Sequence, residues 1–310
     1  MIAGAIDIGT NTTLALLAES TNGGLKVIRD QITVNHLGDA LRQGPEFSPE
    51  VIALNVDLLA GIVRDYRRYG AEDFVLAATA AVRHATNRTE FQEAVKDIVG
   101  LPLEVISGRD EAALTYLGAI SDREVYPNER VNVMDLGGGS TEIVEGSGYT
   151  PGHSFSVDVG SSVLSNQFFV NDPPEEEEVS DMVSSLRGRL LHLVKDLRGK
   201  KVPWILVGGT VVTLAMLKAG HRQYDPSRVG GTALNIEDID RLIAYFMGRP
   251  AEELQMMPGM PVGRGRIILA GAILLRELYW ALEIEEGIVS ERGLRHGLWL
   301  SKFGRMATHE

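Results

Sequence analysis

The chain has 310 residues and a net charge of −12; 44% of residues are hydrophobic and 23% charged, so it is neither a disordered polymer nor a basic nucleic-acid coat. It contains no cysteine, which excludes disulfides, thiolate metal sites and cysteine nucleophiles. The longest apolar run, Ile267 to Leu275, is too short to cross a bilayer, and the first residues have no basic region of the kind a leader carries. A cytoplasmic setting without nucleic-acid or membrane partners is therefore expected, and the length suggests two domains at roughly 150 residues each.

In chain order, Ile2 to Ile8 reads as a strand, followed by strands over Ala15 to Glu19 and Leu25 to Ile32 with Asn22-Gly23-Gly24 as a hairpin turn. Ser48-Pro49 opens a helix, with Ser as N-cap and Pro at the first helical position, and Gly70 ends it. Phe74 to Ala78 reads as a buried strand, with Arg83 at the end of the strand and loop that follow. Asn87 is the expected N-cap of a second helix, with Glu90 at the capping-box position. Leu103 to Ile106 is a strand, and Ser107-Gly108 leads into a helix over Arg109 to Ile120.

A second series begins with strands over Glu129 to Met134, Glu142 to Glu145 and Phe155 to Val159. A helix with an acidic start covers Glu175 to Arg198, where carboxylates suit the helix dipole. The strand Val202 to Val207 is closed by Gly208-Gly209-Thr210. Asn235 caps a helix to Met247, a further helix covers Arg264 to Leu282, Ile288-Val289 is a short strand, and the last helix covers Arg292 to Arg305. Strands and helices mixed in this way define an α/β protein.

Two segments of the chain match each other. Ala5-Ile6-Asp7-Ile8-Gly9-Thr10-Asn11-Thr12-Thr13 aligns with Val133-Met134-Asp135-Leu136-Gly137-Gly138-Gly139-Ser140-Thr141, at an offset of 128 positions, which implies two related domains. Glycine lets the turn curl so that successive N–H groups point one way and form a nest for phosphate oxygens; the hydroxyls of Thr10, Thr12, Ser140 and Thr141 add donors. An Asp at the strand end repels a bare phosphate, so this pattern also calls for a cation such as Mg²⁺.

Asp7-Ile8-Gly9-Thr10-Asn11-Thr12, Ala78-Thr79-Ala80-Ala81-Val82-Arg83, Ser107-Gly108-Arg109-Asp110-Glu111-Ala112 and Asp135-Leu136-Gly137-Gly138-Gly139-Ser140-Thr141-Glu142 occur in the order of the exopolyphosphatase / guanosine pentaphosphate phosphohydrolase (Ppx/GppA) family. Gly208-Gly209-Thr210 and the segment from Arg266 to Gly271 also match, so the resemblance runs over nearly the whole chain. It implies two ribonuclease-H-like domains of the actin / Hsp70 / sugar-kinase superfamily with an interdomain cleft, in the short two-domain form. The expected bounds are 1–124 and 125–297, with a last helix at about 298–310 packing back on the first domain.

The resemblance also implies roles. Glu111 corresponds to the family's catalytic carboxylate. Asp7, Asp135 and Glu142 are implied metal ligands for Mg²⁺ or Mn²⁺. Thr10, Asn11, Thr12, Arg83, Gly137, Gly138, Gly139, Ser140, Gly208, Gly209, Thr210 and Arg266 are implied phosphate contacts. The expected reaction is hydrolysis of the terminal phosphoanhydride bond of inorganic polyphosphate, releasing orthophosphate. Guanosine pentaphosphate hydrolysis, an ATP-dependent activity of the wider fold and non-catalytic polyphosphate or nucleotide binding are the competing readings, and a homodimer is an admissible assembly. Two positions depart from the family pattern: Leu14 stands where an Arg is usual, and Asp110-Glu111 replaces a Glu pair.

Overall fold

A computed structural model describes residues 1–21, 24–42, 44–121, 129–193, 201–223 and 225–304. The expected hairpin turn falls at residues 22 and 23, outside the described residues, as do 194–198 of the long acidic helix and residue 305. The chain divides into two compact units, residues 1–124 with 292–310, and residues 125–291. The chain thus re-enters the first unit at Arg292, earlier than the 298 expected from sequence.

The first unit contains β1 (Ile2–Ile8), β2 (Thr12–Thr21), β3 (Gly24–Val34), α1 (Leu37–Ala40), α2 (Pro49–Arg68), β4 (Asp73–Ala78), α3 (Ala80–His84), α4 (Arg88–Val99), β5 (Leu103–Val105) and α5 (Gly108–Ile120). The second contains β6 (Arg130–Leu136), β7 (Thr141–Ser147), β8 (Thr150–Val157), α6 (Ser161–Phe168), α7 (Glu176–Leu193), β9 (Trp204–Val207) and α8 (Gly209–Lys218). It continues through β10 (Ala233–Asn235), α9 (Ile236–Phe246), α10 (Ala251–Gln255), α11 (Ile268–Leu282) and β11 (Glu286–Val289). The helix α12 (Leu294–Phe303) belongs to the first unit.

The sheet of the first unit has the order β3-β2-β1-β4-β5, with an antiparallel meander β1–β3 and parallel β1, β4 and β5. The second has the order β10-β11-β9-β6-β7-β8, with β6–β8 antiparallel and β6, β9 and β11 parallel. Setting β10 aside, the two sheets have one topology, and each unit is a ribonuclease-H-like α/β domain. The repeat seen in the sequence extends to single bonds: Gly9 N donates to Thr12 O and Gly137 N to Ser140 O, both at 3.0 Å.

In the first unit the period of two along β1 separates two packed faces. Ile6 and Ile8 join Ala15, Leu17 and the apolar sides of α2 and α4, including Val56, Leu59, Phe91 and Val95. Ala3 and Ala5, with Leu16 and Ala18, face Leu294, Leu298, Trp299 and Phe303 of α12. Trp299 Nε1 donates to Ala3 O at 2.9 Å, so the indole is satisfied as well as buried. In the second unit one apolar core joins Met134 and Leu136 of β6, Leu206 of β9 and most of α11. Among the described residues no helix is long and apolar enough to cross a membrane.

Several local expectations hold in detail. Ser48 caps α2 by accepting from Val51 N, and Asn235 caps α9 by accepting from Asp238 N. Others are corrected. Asn87 precedes α4 but its side chain caps nothing; Oδ1 accepts from Phe47 N and Nδ2 donates to Phe47 O and Glu90, pinning the loop before α2 instead. Arg83 lies in the short helix α3 rather than at the end of a loop. The helix expected from Arg264 begins at Ile268, because residues 264–267 form a turn beside Gly265, whose Cα backs onto Ala251 O and Gln255.

The earlier return of the chain at Arg292 has a packing cause. α12 lies against α5 at the closest approach that backbone allows: a Cβ on Gly297 would collide with Leu114 O, and one on Gly118 with Gly293 O. Replacing a glycine inside a helix by alanine ordinarily stabilises by about 1 kcal/mol. At Gly297 the sign should reverse, with a loss of about 2 kcal/mol or more from overpacking and a lower melting temperature by circular dichroism.

Candidate active site

In both units most of the implied residues lie at or after the C-terminal ends of parallel strands, where ligands of open α/β sheets bind; Glu142, on antiparallel β7, and Arg266 do not. In the first unit, Asp7 is the penultimate residue of β1, the turn of residues 9–12 follows, Arg83 follows β4 and Glu111 follows β5. In the second, Asp135 lies near the end of β6, the turn of residues 137–140 follows, and Gly208-Gly209-Thr210 follows β9.

The direction of the turn amides follows from what holds the carbonyls. In a trans peptide, the C=O of one residue and the N–H of the next point opposite ways. In the first unit, Gly9 O accepts from Asn35 Nδ2 (2.8 Å), Thr10 O from Gly38 N (2.7 Å) and Asn11 O from Asn35 N (3.0 Å). The N–H groups of Thr10, Asn11 and Thr12 are therefore turned away from α1. In the second unit, Gly137 O accepts from Ser161 N (3.0 Å), and Gly138 O from Ser162 N (2.9 Å) and Val163 N (3.2 Å). The N–H groups of Gly138 and Gly139 are thus turned away from α6. None of the Thr10, Asn11, Gly138 and Gly139 amides donates to a backbone carbonyl among the described residues. Two backbone nests for anions result, each held from behind by the element that follows the third strand of its sheet.

Side-chain donors accompany them. Asn11 Nδ2 is buried without a hydrogen-bond partner, as are Ser162 Oγ beside the second turn and Thr210 Oγ1 at the start of α8. Gly208, at φ +108°, allows α8 to begin directly behind β6: a Cβ there would stand 2.9 Å from Asp135 Oδ1. The first-turn amides of α8 have no intrahelical acceptor and carry the positive end of the helix dipole.

The acidic residues take three settings. Asp135 and Glu142 are directly paired across the β6–β7 ladder and so share a face as close neighbours; Ser156 Oγ donates to Glu142 Oε1 at 2.8 Å. Two hard carboxylates side by side, next to the glycine turn, form a donor set whose chemistry suits a divalent cation such as Mg²⁺ or Mn²⁺. Among the described residues no group of three His, Asp or Glu side chains is arranged to hold a metal. Asp7 is buried at 7% exposure on the face of β1 that carries Ala3 and Ala5. Glu111 is equally buried in the first turn of α5, and Arg83 Nη1 donates to its Oε2 at 2.9 Å. Asp110, one position earlier, is exposed and accepts from Ser107 Oγ at 2.6 Å, a capping arrangement.

Two residues that sequence reasoning missed belong to this geometry. Asn35 is the clamp of the first turn; it also accepts from Leu37 N at 3.2 Å, and a lone Asn after a strand carries no sequence signal for such a role. Arg264 is buried at 8% exposure with its guanidinium against Gly209, where a Cβ would stand 2.9 Å from Cζ. Arg266, the arginine singled out from sequence, is exposed and lines a cavity of about 270 Å³ with Phe169, Arg249, Leu254 and Leu269. The alternation Gly263-Arg264-Gly265-Arg266 has no period that distinguishes the two.

Residues 16–306 match the sequence pattern of the Ppx/GppA phosphatase family. The chain belongs to the Ppx/GppA family. It is 30% identical to exopolyphosphatase 2 of Mycobacterium tuberculosis, with 97% of this chain and 98% of that protein covered. The crystal structure of the Aquifex aeolicus family member superposes with a TM-score of 0.82 at 31% identity, covering 97% of each chain. An exopolyphosphatase from Cytophaga hutchinsonii shares the fold at a TM-score of 0.87 and 22% identity, over 97% of each chain. Ppx/GppA enzymes are phosphoanhydride hydrolases, and as a family they depend on a divalent metal.

The nest of the second unit depends on Gly160, whose absent Cβ would stand 2.5 Å from Gly138 O. Gly160→Ala should displace the turn and lower kcat/KM for phosphate release by about 10²-fold, the scale expected of an ångström-level misplacement. The far-ultraviolet circular dichroism spectrum should be unchanged.

Proposed function

We propose that this Ppx/GppA protein hydrolyses the terminal phosphoanhydride bond of inorganic polyphosphate. Water attacks the terminal phosphorus, the bond to the bridging oxygen breaks, and orthophosphate and a chain shorter by one unit leave. The observation that carries this reading is the pair of backbone nests, which present N–H donors to phosphate oxygens without using a net positive surface. Their repetition suits a substrate that is phosphate throughout. The likeness to the mycobacterial exopolyphosphatase supports the same substrate class.

In this reading Thr10, Asn11 and Thr12, with Gly137, Gly138, Gly139 and Ser140, bind phosphate oxygens through the turn amides and hydroxyls. Gly208, Gly209 and Thr210 add the N-terminus of α8, with Arg264 beside it. Glu111 orients the attacking water and accepts its proton, the role that a buried carboxylate in reach of the terminal phosphate can fill. Asp135 and Glu142 would hold Mg²⁺ or Mn²⁺, and Asp7 is the equivalent acidic residue of the first unit; the bound ion would offset charge on the phosphate oxygens. Leu14, which pairs with Asp7 across β1 and β2, offers no donor to an anion, and this ranks guanosine pentaphosphate below polyphosphate.

Glu111→Gln keeps the side-chain volume and loses the base. Turnover of polyphosphate should fall by roughly 10²–10⁴, the usual worth of positioned general-base catalysis, while equilibrium binding persists. Asp110→Asn should stay close to wild type. Wild-type turnover by Glu111→Gln in a phosphate-release assay would remove the carboxylate from the reaction.

Chelation provides a separate check. Excess EDTA should abolish phosphate release, and Mg²⁺ or Mn²⁺ should restore it. Asp135→Asn and Glu142→Gln should each raise the metal concentration needed for half-maximal activity, and an unchanged requirement in both would place the ion elsewhere.

A further inference from the structure

Arg83 was expected to be a phosphate contact, yet its guanidinium is already engaged. Nη1 donates both to Glu111 Oε2 at 2.9 Å and to Ile106 O at 3.0 Å. Ile106 immediately precedes Ser107, the N-cap of the helix that carries Glu111. One nitrogen is thus fixed between the chain leading into α5 and the carboxylate in its first turn. The two side chains are only 17% and 9% exposed, so solvent screens the pair weakly. The Nε and Nη2 groups make no hydrogen bond to any described residue. A guanidinium is planar and rigid, so holding Nη1 fixes the plane in which the remaining N–H groups lie.

We infer that Arg83 is a positioning residue for Glu111, resting on the reading in which Glu111 accepts the proton of the attacking water. Nη1 holds Oε2 of Glu111 and so helps to set the orientation of its carboxylate. Nε and Nη2 remain available to a phosphate oxygen, so one rigid group sets the spacing between base and phosphate. An ordinary phosphate ligand acts on substrate alone; this arrangement makes Arg83 act on turnover through Glu111. Lysine cannot replace it, because a single ammonium lacks the rigid fork that serves both Glu111 and an anion.

The test is a double-mutant cycle on polyphosphate turnover with wild type, Arg83→Ala, Glu111→Gln and the double variant, each checked for folding by its thermal melt. Arg83→Ala should lower kcat by about 10–100-fold in the wild-type background. In the Glu111→Gln background the same change should lower kcat less than about threefold, because the group it positions is no longer a base. Any rise in KM from a lost phosphate contact should be the same in both backgrounds. Arg83→Lys, which keeps the charge, should show the same loss of kcat and serves where Arg83→Ala does not fold. Equal losses of kcat in both backgrounds would overturn the proposal while leaving Glu111 as the base. Wild-type turnover by Glu111→Gln would remove the base reading and this inference together.

Discussion

The constraint on which the candidate site depends is the planarity of the trans peptide. Once a carbonyl is held, the next N–H has no choice of direction. Asn35 and Gly38 in one unit, and the first turn of α6 in the other, hold the turn carbonyls by hydrogen bonds of 2.7–3.2 Å. The anion-facing amides are a consequence. A chain with a net charge of −12 can in this way present local N–H donors without a net positive surface. The donors are backbone dipoles fixed before any ligand arrives, and net charge elsewhere on the molecule governs solubility more than local binding.

The two units share this frame and differ in what they place on it. Across the first three strands, Asp7, Leu14 and Ile32 occupy the register positions that Asp135, Glu142 and Ser156 occupy in the second unit. The carboxylate pair therefore exists in the second unit alone. The ion pair of Arg83 and Glu111 belongs to the first, on helices that follow β4 and β5. One duplicated scaffold carries different groups in its two halves, a carboxylate pair in one and a carboxylate bonded to a guanidinium in the other.

Much of this was legible in the sequence because it rests on local rules. The repeat, the caps at Ser48 and Asn235, and the strand-to-glycine turns are specified by residues within a few positions of each other. The parts that were not legible depend on distant packing. Asn87 could not be read as a loop clamp without knowing that Phe47 would come beside it. Arg264 and Arg266 differ only in which one a turn folds against Gly209. The helix α8 begins on Gly209, a residue that local propensity treats as a stop, because a Cβ there would collide with the guanidinium of Arg264. The direct contact of Arg83 with Glu111 joins two motifs that the sequence presents separately, one as a phosphate contact and one as a catalytic carboxylate.

The second unit is inserted whole into the sequence of the first. Ribosomal synthesis delivers β1 to α5 early, but α12, whose Leu294, Leu298, Trp299 and Phe303 cover one face of that sheet, comes last. At roughly 5–20 residues per second, the intervening residues 125–291 occupy the ribosome for roughly ten to thirty seconds. During that time the second unit can complete its own core, while the first has a sheet with one side bare. On that side Ala3, Ala5, Ala18 and Ala77 stand beside the larger Leu16 and Val75, and the four alanines reduce the apolar area open to a passing nascent chain. The alanines that let α12 approach closely in the finished protein thus also limit misassociation in the half-made one.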